Sequence, residues 1–136
     1  MASADVMKAV KLRLDGFWTL TPISYPNEVF ETPIDASPYL EVQYPIANEG
    51  PASIGAPGAN VQREEGVIRF VLYVERGTGV VTGTEWLDDL RRHFRNQDFG
   101  PVRTYQASPP VTDDRNADGN YWSISAAIVY EADFIG

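Results

Sequence analysis

One stretch of the chain has residue types and spacing that fit metal chemistry. Asp114, Asn116 and Asp118 stand at alternate positions before Gly119, as in the first half of a calcium-binding loop. Oxygen ligands at alternate positions suit Ca²⁺, and the glycine permits a sharp turn. However, the twelfth position should supply a bidentate glutamate and is Ser125. A hairpin loop rich in Asp, Asn and Gly has the same pattern. We therefore favour a plain hairpin and assign no metal, and keep a small calcium- or ligand-binding module using loop 113–120 as an alternative.

Histidine-based catalysis has a single candidate, because His93 is the only histidine in the chain. Asp89 precedes it by one helical turn and is close enough to orient an imidazole. No motif supplies a nucleophile, since there is no G-x-S-x-G sequence and no cysteine. The glycine-rich turns lack the Lys-Ser/Thr pair of a phosphate loop. The sequence therefore predicts a protein that is not an enzyme, with no catalytic residue and no cofactor.

A basic cluster, Arg91, Arg92 and Arg95, stands out in an acidic chain with 11 basic and 19 acidic residues and a net charge of −8. These arginines lie near the end of a predicted helix, where cations compensate the helix dipole. An Asp88–Arg92 pair would add only a few tenths of a kcal/mol. Alternatively, the cluster docks on an acidic face of a neighbouring copy, as a head-to-tail ring contact requires. Both interpretations stay open.

Composition excludes several other classes of protein. The length of 136 residues suits one domain. The acidic charge disfavours binding of DNA or RNA in a basic groove. No apolar run reaches the about 20 residues that span a bilayer, and the N-terminus has no signal-peptide pattern. We expect a protein that is made in the cytoplasm and makes no membrane contact.

The elements that position these residues follow from hydrophobic periodicity. Two helices are predicted, at about 4–15 with Ser3 as N-cap and at about 83–95 with a capping box from Thr82 to Glu85. Strands are predicted at 39–44, 67–74, 102–107 and 121–130, with a short edge strand or extended connector near 18–27. This order predicts an α+β fold, with a single mixed, mostly antiparallel sheet of about five strands and both helices packed on one face.

A long segment rich in Gly, Pro, Ala and Asn, at about 45–65, separates the first two strong strands. Compact domains rarely contain a loop of this length without a functional reason. We predict an arm that becomes ordered against another subunit. The predicted subunit interface comprises Ile54, Val61, Arg63, Arg91, Arg92 and Arg95. Tyr39, Tyr73 and Tyr121, on the strand faces away from the core, are further interface candidates because aromatic residues are enriched there.

Several short motifs also occur in a recognisable order along nearly the whole chain. They are the N-terminal amphipathic helix, Thr21-Pro22-Ile23, Pro26-Asn27, Phe30, Pro38-Tyr39-Leu40-Glu41-Val42, the Gly/Pro-rich segment, Gly66-Val67-Ile68, Gly77-Thr78-Gly79 and the strand containing Trp122. In this order the chain resembles the tail terminator, or tail completion, proteins of long-tailed bacteriophages, prophages and gene transfer agents.

That resemblance implies a non-enzymatic structural protein of the virion tail, located at the head–tail junction. It implies a hexameric ring of identical copies that caps the head-proximal end of the tail tube, ends tube polymerisation and joins the head. The implied partners are further copies of the chain, the tail tube protein and the head–tail connector protein. DNA would pass through the lumen without specific binding. Another connector component, a stopper or neck protein, is the alternative, although the strand-rich pattern favours the terminator.

Overall fold

Two helices and a curled, mixed β-sheet make up the computed structural model, which describes residues 1–112 and 119–136. The helices are α1 (Ala4–Asp15) and α2 (Val81–Phe94). The strands are β1 (Ile23–Ser24), β2 (Tyr39–Pro51), β3 (Val61–Glu75), β4 (Asp98–Phe99), β5 (Val102–Ala107), β6 (Val111–Thr112) and β7 (Tyr121–Ile135).

The α+β class is confirmed, but within the described residues the sheet has seven strands rather than about five. Its strand order is β1-β2-β3-β7-β5-β4, with β6 paired to β7 outside this path. Among the described strand pairs, β1–β2 is parallel and the others are antiparallel. The sequence did not reveal β4 and β6 because a two-residue strand is too short to show a period of two.

The helix starts differ in detail from the sequence prediction. Ser3 occupies the N-cap position of α1, but its side chain makes no capping hydrogen bond. Its backbone N–H instead donates to Glu64 Oε2 at 3.2 Å. The predicted capping box of α2 is wrong because the helix begins at Val81, so Thr82 already lies inside its first turn.

The core lies between the two helices and one face of the sheet. Alternate strand residues point inward, as the pleat of a strand requires, and meet the apolar stripes of both helices. The members with no exposed surface are Val6, Val10, Leu14, Leu40, Ile68, Phe70, Leu72, Leu87, Leu90, Phe94, Ile128 and Ala132. One continuous apolar cluster therefore fixes the helices relative to the strands.

The segment 45–65 is mostly β-strand, so the predicted long loop is wrong in extent. β2 continues to Pro51 and β3 begins at Val61, which leaves a turn of 52–60. Proline is tolerated in an edge strand where its missing N–H is not needed. At its outer end β3 also pairs with β7, up to Val61 opposite Ile135. We call the resulting three-stranded extension (residues 46–51, 61–67 and 129–135) the distal ribbon.

The three tyrosines predicted as interface candidates pack against one another within the chain. Tyr39 stacks on Tyr73 at 4.5 Å between ring centroids and meets Tyr121 edge-on at 5.2 Å. The Tyr121 hydroxyl donates to the carbonyl oxygen of Ser37 at 2.9 Å. These contacts hold the connection before β2 on the sheet face opposite the helices. A role of the three tyrosines at an interface stays a prediction.

Candidate functional site

The candidate calcium ligands Asp114, Asn116 and Asp118 lie outside the described residues. In residues 1–112 and 119–136, no group of three or more His, Cys, Asp or Glu side chains is arranged to bind a metal ion. No helix in the same described ranges is long and apolar enough to cross a membrane.

His93 serves as a packing residue between the two helices. Its ring stacks on Phe17, with centroids 4.0 Å apart and planes 6° from parallel. Its carbonyl oxygen accepts hydrogen bonds from Arg13 Nε at 3.2 Å and Nη2 at 2.8 Å. Burial, and then the nearby Arg13 charge, lower the pKa of His93. Asp89 does not orient the imidazole, because its carboxylate accepts a hydrogen bond from Arg92.

The arginine cluster is partly neutralised on its own helix. Arg91 Nη1 donates to Asp88 Oδ1 at 2.7 Å, and Arg92 pairs with Asp89. Both pairs span one turn of the helix, so the predicted Asp88–Arg92 pair does not form. The Arg91 side chain is only 15% exposed, whereas that of Arg92 is 60% exposed. Arg95 is exposed, and no carboxylate of the described residues forms an ion pair with it.

The other predicted interface residues lie on or beside the distal ribbon. Ile54 is 89% exposed in the turn between β2 and β3. Val61 begins β3, and its N–H donates to Ser53 Oγ at 2.8 Å. The structure thus separates the predicted interface into two groups, one at the distal ribbon and one at the end of α2. Their contact with another subunit stays a prediction.

Arg63 belongs to an ion-pair network across three strands that no sequence pattern indicates. Its Nε and Nη2 donate to the two carboxylate oxygens of Asp133 at 2.9 and 3.1 Å. Arg103 Nη2 also donates to Asp133 at 3.0 Å and pairs with Glu131. The hydrogen bond from Arg63 is the main cause that lowers the pKa of Asp133 to about 2. These charges meet because Arg63 is in register with Asp133, and Arg103 with Glu131.

A buried carboxylate links the N-terminus to the distal ribbon. Glu64 is 4% exposed, and its Oε2 accepts hydrogen bonds from the Tyr130 hydroxyl at 2.5 Å and from the Ser3 N–H at 3.2 Å. Burial, followed by this hydrogen bond, raises the pKa of Tyr130. Gly66, directly opposite Tyr130, leaves room for the ring, since an added Cβ would lie 2.8 Å from it and 2.5 Å from Ile46 O. Only the strand register reveals this arrangement.

The outer edge of β2 is open over most of its length. β1 pairs with it only at Leu40 and Glu41, and no other described strand lies on that side. A groove of about 660 Å³ runs beside this edge. Its lining includes Tyr25, Glu28, Phe30, Glu41 and Tyr44. Most of this edge therefore has no partner strand within residues 1–112 and 119–136.

Comparisons with known proteins agree with this fold. No curated protein sequence matches the chain. One solved structure aligns over 98% of this chain and 97% of its own, with a TM-score of 0.67 and 20% sequence identity. At that identity the likeness shows a shared fold alone.

The match that decides the family comes from a family model described as phage tail terminator protein, which covers residues 5–130. The matched region runs from α1 through most of β7, so it includes both helices and every strand of the sheet. It confirms the resemblance inferred from the order of motifs. The chain belongs to the phage tail terminator protein family.

Proposed function

We propose that this protein forms a hexameric ring on the head-proximal end of a phage tail tube. The ring ends tube polymerisation and gives the surface that the head–tail connector protein joins. The observation that carries this proposal is the family match over residues 5–130, since tail terminators are structural rather than enzymatic proteins. The protein would be made in the host cytoplasm and end in the virion, at the head–tail junction.

Two features of the chain support a ring. Head-to-tail contacts that close a ring need two different surfaces on each copy. The strand order gives the sheet two unlike flanks, with β1 and β2 on one side and β5 and β4 on the other. The net charge of −8 also suits a lumen through which DNA slides, because an acidic wall repels phosphates.

The direct experiment mixes this protein with tubes assembled from its own tail tube protein. Negative-stain images should show rings at tube ends, and tube length should stop increasing after the protein is added. Mass photometry of the same mixture measures how many copies each ring contains. A protein that stays monomeric and ignores tube ends contradicts the proposal. Binding to isolated connector protein without effect on tube growth indicates a stopper or neck protein instead.

The calcium-binding alternative has its own test. Titration of the protein with CaCl₂ in a calorimeter should give no binding heat, and calcium should not shift Tm. Heat that disappears in an Asp114→Asn variant would instead support a cation site in loop 113–120. The variant changes one carboxylate oxygen donor and leaves the size of the side chain unchanged.

A further inference from the structure

We propose that copies of this chain contact each other through the open outer edge of β2 on one copy and the opposite flank, where α2 ends beside β5, on the next. This inference rests on the proposed ring and names the two surfaces that close it. Three observations carry it: the peptide groups of β2 that point away from β3, the hydrogen bonds that join the end of α2 to β5, and the exposed charges of opposite sign on the two flanks.

The hydrogen-bond pattern of β2 identifies its unpaired peptide groups. Ala52 N donates across the hairpin to Val61 O at 2.7 Å. In an antiparallel ladder, residues alternate between those bonded to the neighbouring strand and those that point away. With the observed register, the N–H groups of Glu49 and Ala47 therefore point away from β3, toward the open edge. Such groups are a ready template for a second chain.

Two prolines limit where a second chain can pair. Pro45 lies in the bulge between Gln43 and Ile46, and Pro51 ends β2. Neither has an N–H to donate. The stretch between them is short and contains Ile46, which is 56% exposed, and Glu49, which is charged. Short, charged, proline-bounded edges resist uncontrolled pairing, so this edge is suited to a single defined partner.

The opposite flank is a rigid surface. At the end of α2, Asn96 N donates to Tyr105 O at 3.0 Å, and Thr104 N donates to Gln97 O at 2.8 Å. These bonds fix the end of the helix against β5, which lies two strands beyond β3 in the sheet order. The β2 edge and the end of α2 thus belong to opposite sides of the sheet. Contacts between two such sides are heterologous, and they close into a ring when the rotation from one copy to the next closes.

The charges of the two flanks are complementary, which points to a second copy as the occupant. Glu41 lines the groove beside β2, where Glu28 pairs with Lys11 at 2.8 Å, and Glu49 is exposed on the edge itself. On the other flank, Arg95 is exposed at the end of α2 and forms no ion pair within the described residues, whereas the exposed Arg92 pairs with Asp89. Charges of this kind fix the orientation of a contact more than they add affinity. The backbone of the edge and the apolar surface around it then supply the affinity.

An exchange of charges within one chain tests the pairing of these flanks. Arg95→Glu and Glu49→Arg should each raise the protein concentration that half-caps the tubes by about tenfold, because like charges then face each other. The double variant should return close to wild type, since every contact again joins opposite charges. The control is Glu85→Arg on α2, an exposed position that undergoes the same change of charge as Glu49→Arg. It should leave the half-capping concentration unchanged.

A proline substitution tests the edge itself. Glu49→Pro removes an N–H that points outward and leaves the ladder to β3 intact, so Tm should stay close to that of the wild type while ring formation is lost. If Glu49→Pro folds and assembles like wild type, or if the double charge variant is no better than the single variants, the inference is wrong.

The outcomes separate this inference from the proposed function. If wild type caps tubes and every variant caps equally well, only the inference fails. Rings could also form in solution, weaken in each single charge variant and recover in the double variant, but never bind tube ends. In that case the inference stands and the terminator role fails. If wild type does not self-associate with or without tubes, both fail.

Discussion

Gly66→Ala is the substitution whose effect the structure specifies most closely. Gly66 lies in β3 opposite Tyr130, at the point where the carbonyl of Ile46 passes over it. An added Cβ would lie 2.5 Å from Ile46 O and 2.8 Å from both Tyr130 Cε1 and the Tyr130 hydroxyl. Ordinary contacts of a Cβ begin at 3.4 Å. The backbone of β2, the Tyr130 ring, or both must therefore move.

Two contributions set the expected magnitude. Overpacking a well-packed site costs about 1–3 kcal/mol. A shift of the Tyr130 ring would also weaken its hydrogen bond to the buried Glu64 carboxylate, worth about 1.5–3 kcal/mol. We expect the free energy of unfolding to fall by roughly 2–5 kcal/mol, because the two contributions overlap. Tm should fall by on the order of 10 °C for a chain of this length.

Urea unfolding followed by tryptophan fluorescence measures this change. The matched control is Gly50→Ala on the partner strand, where an added Cβ meets no atom within 4 Å. That variant should stay within about 0.5 kcal/mol of wild type. The test compares the fall in the free energy of unfolding of Gly66→Ala with that of Gly50→Ala. A difference of less than about 1 kcal/mol would refute the close approach of β2 and Tyr130 at this position.

Three further predictions follow from the same structure. Tyr130→Phe removes one of the two donors to Glu64 and should lower the free energy of unfolding by about 1.5–3 kcal/mol in urea titration, whereas an unchanged value would mean that water replaces the hydroxyl. Asp133 has its pKa lowered from 3.8 to about 2, first by the hydrogen bond from Arg63, so the stability it contributes is full above pH about 4 and is lost as pH falls through about 2. Asp133→Asn should therefore flatten the acid limb of a plot of stability against pH, and an unaltered limb would contradict the ion pair. Thr104→Val replaces a buried hydroxyl that bonds to the end of α2 by a methyl group of similar size and should cost about 1–3 kcal/mol of unfolding free energy, measured beside Thr104→Ser, which keeps the hydroxyl and loses the methyl group.

The helices and the inner halves of the strands could be predicted because their cause is local. Val6, Val10 and Leu14 recur at the helical period, and α1 has the predicted bounds of 4–15. Leu40 and Val42 alternate with polar residues, and β2 begins at the predicted Tyr39. Such periodicities indicate which face is buried, because the direction of each side chain follows from its position in the helix or strand.

The outer half of β2 could not be predicted, because its cause is not local. Residues 45–51 have the Gly, Pro and Asn content of a loop, yet they form a strand. β3 pairs with them on one side and with β7 on the other, and the second pairing holds β3 extended as far as Val61. The loop predicted at 45–65 is therefore shorter than expected, because local propensity was applied where strand pairing decides the conformation. Its role as an arm against another subunit stays a prediction.

The candidate surfaces divide in the same way. The sequence by itself determined the basic end of α2, the acidic balance and the order of motifs that identifies the family, because these are properties of composition and spacing. The tertiary structure alone decided that Arg63 meets Asp133 across 70 residues of chain, that Glu64 is buried beneath Tyr130, and that β2 has an open edge. Each of those depends on register between strands far apart in the chain, and a shift of one residue would turn every one of these side chains to the other face.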